Sequence, residues 1–247
     1  MAKEKAQQVL NKVSAKAKNL KIKETLEKIA RGMPKELQKR VGSALILIPA
    51  VLFFIYTSYS LFLLLVLTVT IGMTYEWVDI IGLSKDKNFW RFSGLAYILT
   101  PTFSMLVLRN MPNGADIILW LLMVIWATDT AAYFVGCNLK GPKLAPKISP
   151  NKTWSGLIGG ICASMLIGLI ASLMFQETAL FFIAFSGVLA VVAQLGDLLE
   201  SKVKRTFNIK DSGNLIPGHG GILDRLDGLT LTAPFVMIIA ILSKTVF

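Results

Sequence analysis

Charged and polar side chains are concentrated in one stretch of this chain, residues 201–227, which has apolar segments on both sides. The stretch contains the only histidine, His219, together with four glycines, five basic residues and three aspartates. Ionisable groups next to apolar segments of this length are costly to keep at a membrane. We therefore expect this stretch to have a function.

Two pairs of acidic residues flank the basic ones at helical spacing. Asp197 and Glu200 precede Lys204 on one face of a predicted helix, with Glu200 four residues before the lysine. Asp224 and Asp227 are three residues apart on a second predicted helix, where two like charges repel each other unless a positive charge lies between them. A hard divalent cation held by carboxylates and substrate phosphates would supply that charge.

The other residues of this stretch are suited to binding phosphate. Glycines after residue 212 break any helix and let backbone N–H groups approach a ligand closely. The basic side chains would face phosphate charge; they are Lys202, Lys204, Arg205, Lys210 and Arg225. A solvated basic loop is the alternative. It explains the lysines and arginines, but not the aspartate pair or the glycines.

The stretch resembles the signature of the phosphatidate cytidylyltransferases, also called CDP-diacylglycerol synthases. That pattern runs Ser, Lys-Arg, Lys-Asp, His-Gly-Gly and Asp-Arg-x-Asp with fixed spacing, and the length of the match makes it specific, unlike a short motif. The matching positions are Ser201, Lys204, Arg205, Lys210, Asp211, His219, Gly220, Gly221, Asp224, Arg225 and Asp227.

The resemblance continues through residues 139–154, a basic segment that we predict to be a loop. A Ser-Pro-x-Lys-Thr-Trp element matches here at residues 149–154, although Ser155 stands where many relatives carry an acidic residue. Such a set of side chains can hold a triphosphate. The substrate-binding candidates are Lys143, Ser149, Asn151, Lys152 and Thr153, with Ser201 and Asp129 from other segments.

Asp129 and Glu76 are two further acidic residues that lie within predicted membrane spans. Asp129 lies well inside one span and needs a partner; a similar family element favours a role in the site, and a hydrogen bond to a neighbouring helix is the alternative. Glu76 precedes Trp77 near the end of another span. There we favour packing and anchoring at the membrane boundary over chemistry, because both residue types are common at that depth.

Composition identifies the class of protein that carries these residues. The chain has 247 residues, of which 54% are hydrophobic, and several of its apolar stretches are long enough to span a bilayer. Twelve of the 26 lysines and arginines lie in residues 1–40, and nearly all others lie in three segments, 84–93, 139–154 and 200–228. This distribution fits the positive-inside rule and disfavours nucleic-acid binding.

We predict an all-α polytopic membrane bundle of about seven transmembrane helices with a cytoplasmic N-terminus. The predicted spans are 41–57, 61–83, 92–108, 117–138, 156–175, 179–199 and 229–246. Residues 1–40 form a separate basic segment, predicted to be an amphipathic membrane-surface helix or, alternatively, a partly disordered tail. Residues 41–247 form the catalytic domain, in a bacterial-type inner membrane with the active site facing the cytoplasm.

The resemblance implies an enzyme that transfers cytidylyl from CTP to phosphatidate, with Mg²⁺ as cofactor. A second, monovalent cation and a homodimer are both left open. We assign Mg²⁺ to Asp197, Asp224 and Asp227. The other assigned catalytic residues are Lys204, Arg205, Lys210, Asp211, His219 and Arg225. The alternatives are another CTP-dependent lipid or polyprenol transferase or, from a different class, a transporter.

Overall fold

The structure is a computed structural model that describes residues 35–82, 86–176, 178–215 and 220–243. Seven helices lie within these ranges. They are α1 (Lys35–Tyr56), α2 (Tyr59–Ile81), α3 (Lys87–Arg109), α4 (Gly114–Leu139), α5 (Trp154–Phe175), α6 (Ala179–Thr206) and α7 (Leu223–Ser243). A two-stranded antiparallel sheet joins α4 to α5 and consists of β1 (Lys143–Ala145) and β2 (Ser149–Thr153).

Six of these seven helices are long and apolar enough to cross a membrane, and α1 contains a shorter apolar part, Leu45–Tyr56. The prediction of a helical integral membrane protein is therefore confirmed. The cytoplasmic orientation of the N-terminus stays a prediction. Most of the predicted amphipathic segment 1–40 lies outside the described residues, and its separation from the catalytic domain also stays a prediction.

The chain divides into two compact units, residues 1–47 and 48–247. The first is described only from Lys35, where the chain is helical. The second unit contains the rest of α1, all other helices and the sheet. Every candidate site residue belongs to this second unit.

Small residues bring the helices of the second unit close together. A side chain at Gly156 on α5 would come within 2.7 Å of the Ala132 carbonyl oxygen on α4, and one at Gly160 within 3.0 Å of the Thr128 carbonyl oxygen. A side chain at Gly196 on α6 would collide with the backbone of Asp227 on α7. Helices in membranes commonly approach each other through such residues. Here the approach at Gly196 places Asp197 next to the start of α7.

Two apolar clusters hold the elements in place. The larger one joins α4, α6 and α7 around fully buried residues such as Leu121, Leu189 and Val236. The smaller one contains Trp77 on α2 and Leu223 at the start of α7. Because Trp77 also donates its indole N–H to the Trp90 carbonyl at 2.9 Å, α2 is fixed to α3 independently of any charged group.

Two helices extend beyond the predicted membrane spans. Helix α6 continues to Thr206, past the predicted span 179–199, and α7 begins at Leu223, before the predicted span 229–246. Lys204 and Asp224 therefore project from helices, as their spacing from the other acidic residues predicts. Residues 143–153, predicted to be part of a loop, form the β1–β2 hairpin, which ends where the Thr153 hydroxyl caps α5 by accepting from Gly156 N.

Candidate active site

The junction between the end of α6 and the start of α7 is built around Lys204. Its ammonium group lies 2.5 Å from Asp224 Oδ1 and 2.9 Å from Glu200 Oε1. The side chains of Lys204 and Asp224 are each 11% exposed, so water screens their interaction only weakly. The predicted helical spacing of Glu200 and Lys204 is thus confirmed, and Asp224 completes a three-residue ionic cluster.

The second oxygen of Asp224 binds backbone instead of a charged group. Asp224 Oδ2 accepts hydrogen bonds from the Ser212 amide at 2.9 Å and from the Gly221 amide at 3.1 Å. The carboxylate therefore joins two parts of the segment between α6 and α7. Gly220, between them in the chain, has a backbone φ of +83°, a conformation that favours glycine.

A second polar network runs across α6 to the hairpin and to α4. Lys152 Nζ on β2 lies 2.5 Å from Asp197 Oδ2 and donates to Gln194 Oε1 at 2.8 Å. The amide of Gln194 in turn donates to Asp129 Oδ1 at 3.2 Å. Ser201 donates to Asp197 Oδ1 at 3.2 Å. Residues predicted from three separate segments are thus brought together, and Gln194 is the connecting side chain.

Asp227 lies in a different environment from Asp224. Its Oδ1 accepts from the Gly228 amide at 2.7 Å, and its carboxylate interacts electrostatically with those of Asp197, Glu200 and Asp129. The sequence predicts that Asp224 and Asp227 repel each other unless a positive charge lies between them. In the structure, the Lys204 ammonium group and two backbone amides contact the oxygens of Asp224.

The predicted Mg²⁺ site consists of Asp197, Asp224 and Asp227. In the ranges that the structure describes, no three His, Cys, Asp or Glu side chains lie close enough to hold an ion. The oxygens of Asp197, Asp224 and Asp227 are of the type that a hard cation prefers. Asp197 already meets Lys152 and Ser201, and Asp224 already meets Lys204 and two backbone amides. The assignment of all three stays a prediction.

Arg205 links the hairpin to the segment after α6. Its Nε donates to the Ile148 carbonyl at 3.3 Å, and its Nη1 donates to the Ile209 carbonyl at 2.9 Å. The other substrate-binding candidates of the hairpin are Lys143, Ser149 and Asn151, of which the first and the last are exposed. Thr153 is buried and caps α5, which is a structural contact.

Three other predicted catalytic residues are exposed. They are Lys210 and Asp211 in the segment after α6, and Arg225 on α7, whose charge interacts with that of Asp129. His219 lies outside the described residues. The roles of these residues stay predictions.

Sequence reasoning missed three polar residues of the site. Gln194 is 5% exposed and bridges two predicted site residues. Ser212 is 4% exposed, and Glu76 is 2% exposed with its carboxylate against Ser212. The burial of Glu76 agrees with the expected role in packing, and anchoring at the membrane boundary stays a prediction. The sequence contains one signal that could have identified Glu76 and Gln194: each is a polar residue within an otherwise apolar helix.

An apolar pocket of about 120 Å³ adjoins the same part of α7. Leu226, Leu229 and Thr230 line one wall, and residues of α1 to α4 such as Met73 and Pro101 line the others. The charged junction and an apolar pocket are therefore next to each other along one helix.

Comparison with known proteins identifies the family of the chain. Residues 83–242 match the model of the cytidylyltransferase family. A phosphatidate cytidylyltransferase of Rickettsia bellii is 39% identical over 211 residues, which cover 82% of this chain and 90% of that protein. One from Rickettsia felis is 39% identical over 215 residues, covering 82% and 92%. One from Brucella suis biovar 1 is 49% identical over 151 residues, covering 60% and 56%. The chain belongs to the cytidylyltransferase family, as the resemblance of its signature predicts.

Proposed function

We propose that this membrane protein transfers the cytidylyl group of CTP to phosphatidate, giving CDP-diacylglycerol and pyrophosphate. The observation that carries the proposal is the junction of α6, α7 and the hairpin, where Lys152 and Lys204 meet the carboxylates of Asp197 and Asp224. Relatives that cover most of this chain bear the name of that enzyme.

In the proposed reaction, a phosphate oxygen of phosphatidate attacks the α-phosphorus of CTP. The bond from that phosphorus to the oxygen bridging the α- and β-phosphates breaks, and pyrophosphate leaves with the bonding electrons. The attacking phosphate is already ionised near neutral pH, so a strong general base is unnecessary. Catalysis then depends on positioning and on neutralising phosphate charge.

The residues of the chain have distinct parts in this scheme. Lys152 binds the triphosphate from the hairpin, and Lys204 and Arg205 neutralise charge from the end of α6. Bound Mg²⁺ would supply further charge neutralisation at the phosphates. Asp197 and Asp227 would hold it, because carboxylate oxygens are the ligands that a hard cation prefers.

The apolar pocket supports a lipid substrate. Its wall residue Leu226 directly precedes Asp227 in the chain, so an acyl chain in the pocket would hold the lipid phosphate near the charged junction. The charge distribution supports an active site on the cytoplasmic side of the inner membrane. The candidate site residues lie mainly in or next to the basic segments 139–154 and 200–228, and basic segments of membrane proteins are typically cytoplasmic.

Purified protein with CTP, phosphatidate and magnesium tests the proposal. Label on the α-phosphate of CTP should appear in a lipid that migrates as CDP-diacylglycerol, while label on the γ-phosphate should appear in pyrophosphate. Transfer of the γ-label to lipid would instead identify a CTP-dependent kinase. Flux through liposomes without turnover of CTP would identify a transporter. We expect CTP to be preferred over ATP and GTP, and equal turnover of the three would contradict that expectation.

A further inference from the structure

Glu76 lies near the end of α2, and its carboxylate is directed at the start of α7. Oε1 accepts from the Ile222 amide at 2.8 Å, and Oε2 accepts from the Leu223 amide at 2.9 Å. The Ser212 hydroxyl also donates to Oε2, at 3.0 Å. With 2% of its surface exposed, Glu76 is among the most buried charged residues of the described chain.

These contacts supply acceptors to backbone N–H groups that have no partner within α7. The first backbone N–H groups of a helix have no partner within the helix, and a negative charge at that end is stabilising. Because α7 begins at Leu223, the amides of Ile222 and Leu223 are such groups. Glu76 thus caps α7 from a helix that lies far from it in the sequence.

Two glycines allow the backbone to come this close to Glu76. A side chain at Gly213 would lie 2.9 Å from Oε1, and one at Gly221 would lie 2.7 Å from Oε2. Residues 212–213 and 221–223 therefore meet on the carboxylate of Glu76. Asp224 joins the same two backbone segments, because it accepts from the amides of Ser212 and Gly221.

We propose that Glu76 is a positioning residue, which fixes segment 212–213 to the start of α7 and so sets the positions of Asp224 and Asp227. The inference rests on the proposed function, because it assigns Glu76 a part in that same reaction without contact to substrate. A misplacement of about 1 Å can cost a hundredfold in rate, so a residue of this kind affects turnover from a distance.

Anchoring of α2 does not require Glu76. Trp77 binds the Trp90 carbonyl and belongs to the smaller apolar cluster, and these contacts hold α2 to α3. Removal of the carboxylate should therefore release the start of α7 while the packing of α2 persists.

The test compares Glu76→Ala and Glu76→Gln with the wild type in detergent. Asp79→Asn is the matched control, because Asp79 is an exposed acid one turn further along α2. Hydrogen exchange should accelerate about tenfold or more at the Ile222 and Leu223 amides in Glu76→Ala. Glu76→Gln retains one acceptor oxygen and should release only one of the two amides. Exchange within α4 should not change in either variant.

Turnover is the second measurement. We expect kcat to fall about tenfold to a hundredfold in Glu76→Ala and less in Glu76→Gln, with little change in KM for CTP. Asp79→Asn should retain the wild-type rate.

Unchanged exchange at Ile222 and Leu223, or an unchanged kcat in Glu76→Ala, would overturn the inference. A purely structural role would instead accelerate exchange throughout the helices and lower kcat only with the folded fraction. If Glu76→Ala does not fold, Glu76→Gln decides, because the loss of one amide contact must still appear with α4 unchanged. Failure of the wild type to turn over CTP would refute the proposed function, and the exchange result would still decide whether Glu76 holds the segment.

Discussion

The two aspartates at the start of α7 are three residues apart, yet they have different charged neighbours. Asp224 meets the ammonium group of Lys204 and two backbone amides. Asp227 accepts from the Gly228 amide and lies among the carboxylates of Asp197, Glu200 and Asp129. Asp224 thus meets a basic side chain and two amides directly, whereas the charged neighbours of Asp227 include three carboxylates.

From this difference we infer a bracing role for Asp224 and propose cation binding for Asp227. Helical spacing places two side chains on one face, but their partners come from other elements. For Asp224 the partners are Lys204 at the end of α6 and Ser212 in the following segment. For Asp227 the neighbour is Asp197, which the close approach at Gly196 brings alongside.

Asp227→Asn should have the largest effect on activity. If Asp227 holds Mg²⁺, turnover should fall by about a hundredfold or more, since the charge stabilisation that a metal supplies is worth several kcal/mol. Stability should change in the other direction, because the substitution removes one charge from a repelling group. We therefore expect a melting temperature in chelator at or above that of the wild type. Wild-type turnover in this variant would contradict the assignment.

Asp224→Asn should lower both activity and stability. The substitution removes the charge that faces Lys204, and hydrogen bonds to charged groups contribute about 1.5–3 kcal/mol. The melting temperature should fall in chelator and in magnesium alike, and turnover should fall about tenfold as the segment loosens. Thermal melts with parallel rate measurements check both effects. A variant that melts above the wild type would show that Asp224 is repelled in the native protein.

Lys152→Ala should act mainly on the nucleotide. If Lys152 neutralises triphosphate charge, the apparent affinity for CTP should weaken about tenfold, which corresponds to about 1.4 kcal/mol, and that for phosphatidate should change less. Steady-state kinetics with each substrate varied in turn measures the two constants. Lys140→Ala, an exposed lysine just before the hairpin, is the control. An equal loss for both substrates would indicate damaged folding or another role.

Gln194→Leu should have the smallest effect. Gln194 orients Lys152 and Asp129 without contacting the proposed reacting groups, so we expect a loss of CTP affinity of about threefold to tenfold. Because it acts through Lys152, the substitution should add little in a Lys152→Ala background. Additive effects in this double-mutant cycle would show that Gln194 acts independently of Lys152.

The sequence predicts the elements of the site better than the contacts between them. The apolar stretches indicate the membrane helices, and helical spacing places Asp197, Glu200 and Lys204 on one face of α6. Both results depend on residues close in the chain. The signature also marks the start of α7 as the place of Asp224 and Asp227.

Contacts between distant segments could not be predicted in this way. Glu76 is 146 residues from Ile222 in the chain, and nothing in the periodicity of α2 indicates which backbone it caps. The contacts of Gln194 could not be predicted for the same reason, because its partners lie on α4 and β2. The β1–β2 hairpin has a strand of only three residues, too short for an alternating pattern.

Magnesium-dependent melting of three proteins tests the distinction between Asp224 and Asp227 most directly. Wild type, Asp224→Asn and Asp227→Asn are melted in chelator and in excess magnesium without substrate. A ligand that binds only the native state raises its stability by mass action. We predict that magnesium raises the melting temperature of the wild type and of Asp224→Asn, but not of Asp227→Asn. Stabilisation of Asp227→Asn by magnesium, with none for Asp224→Asn, would contradict this account.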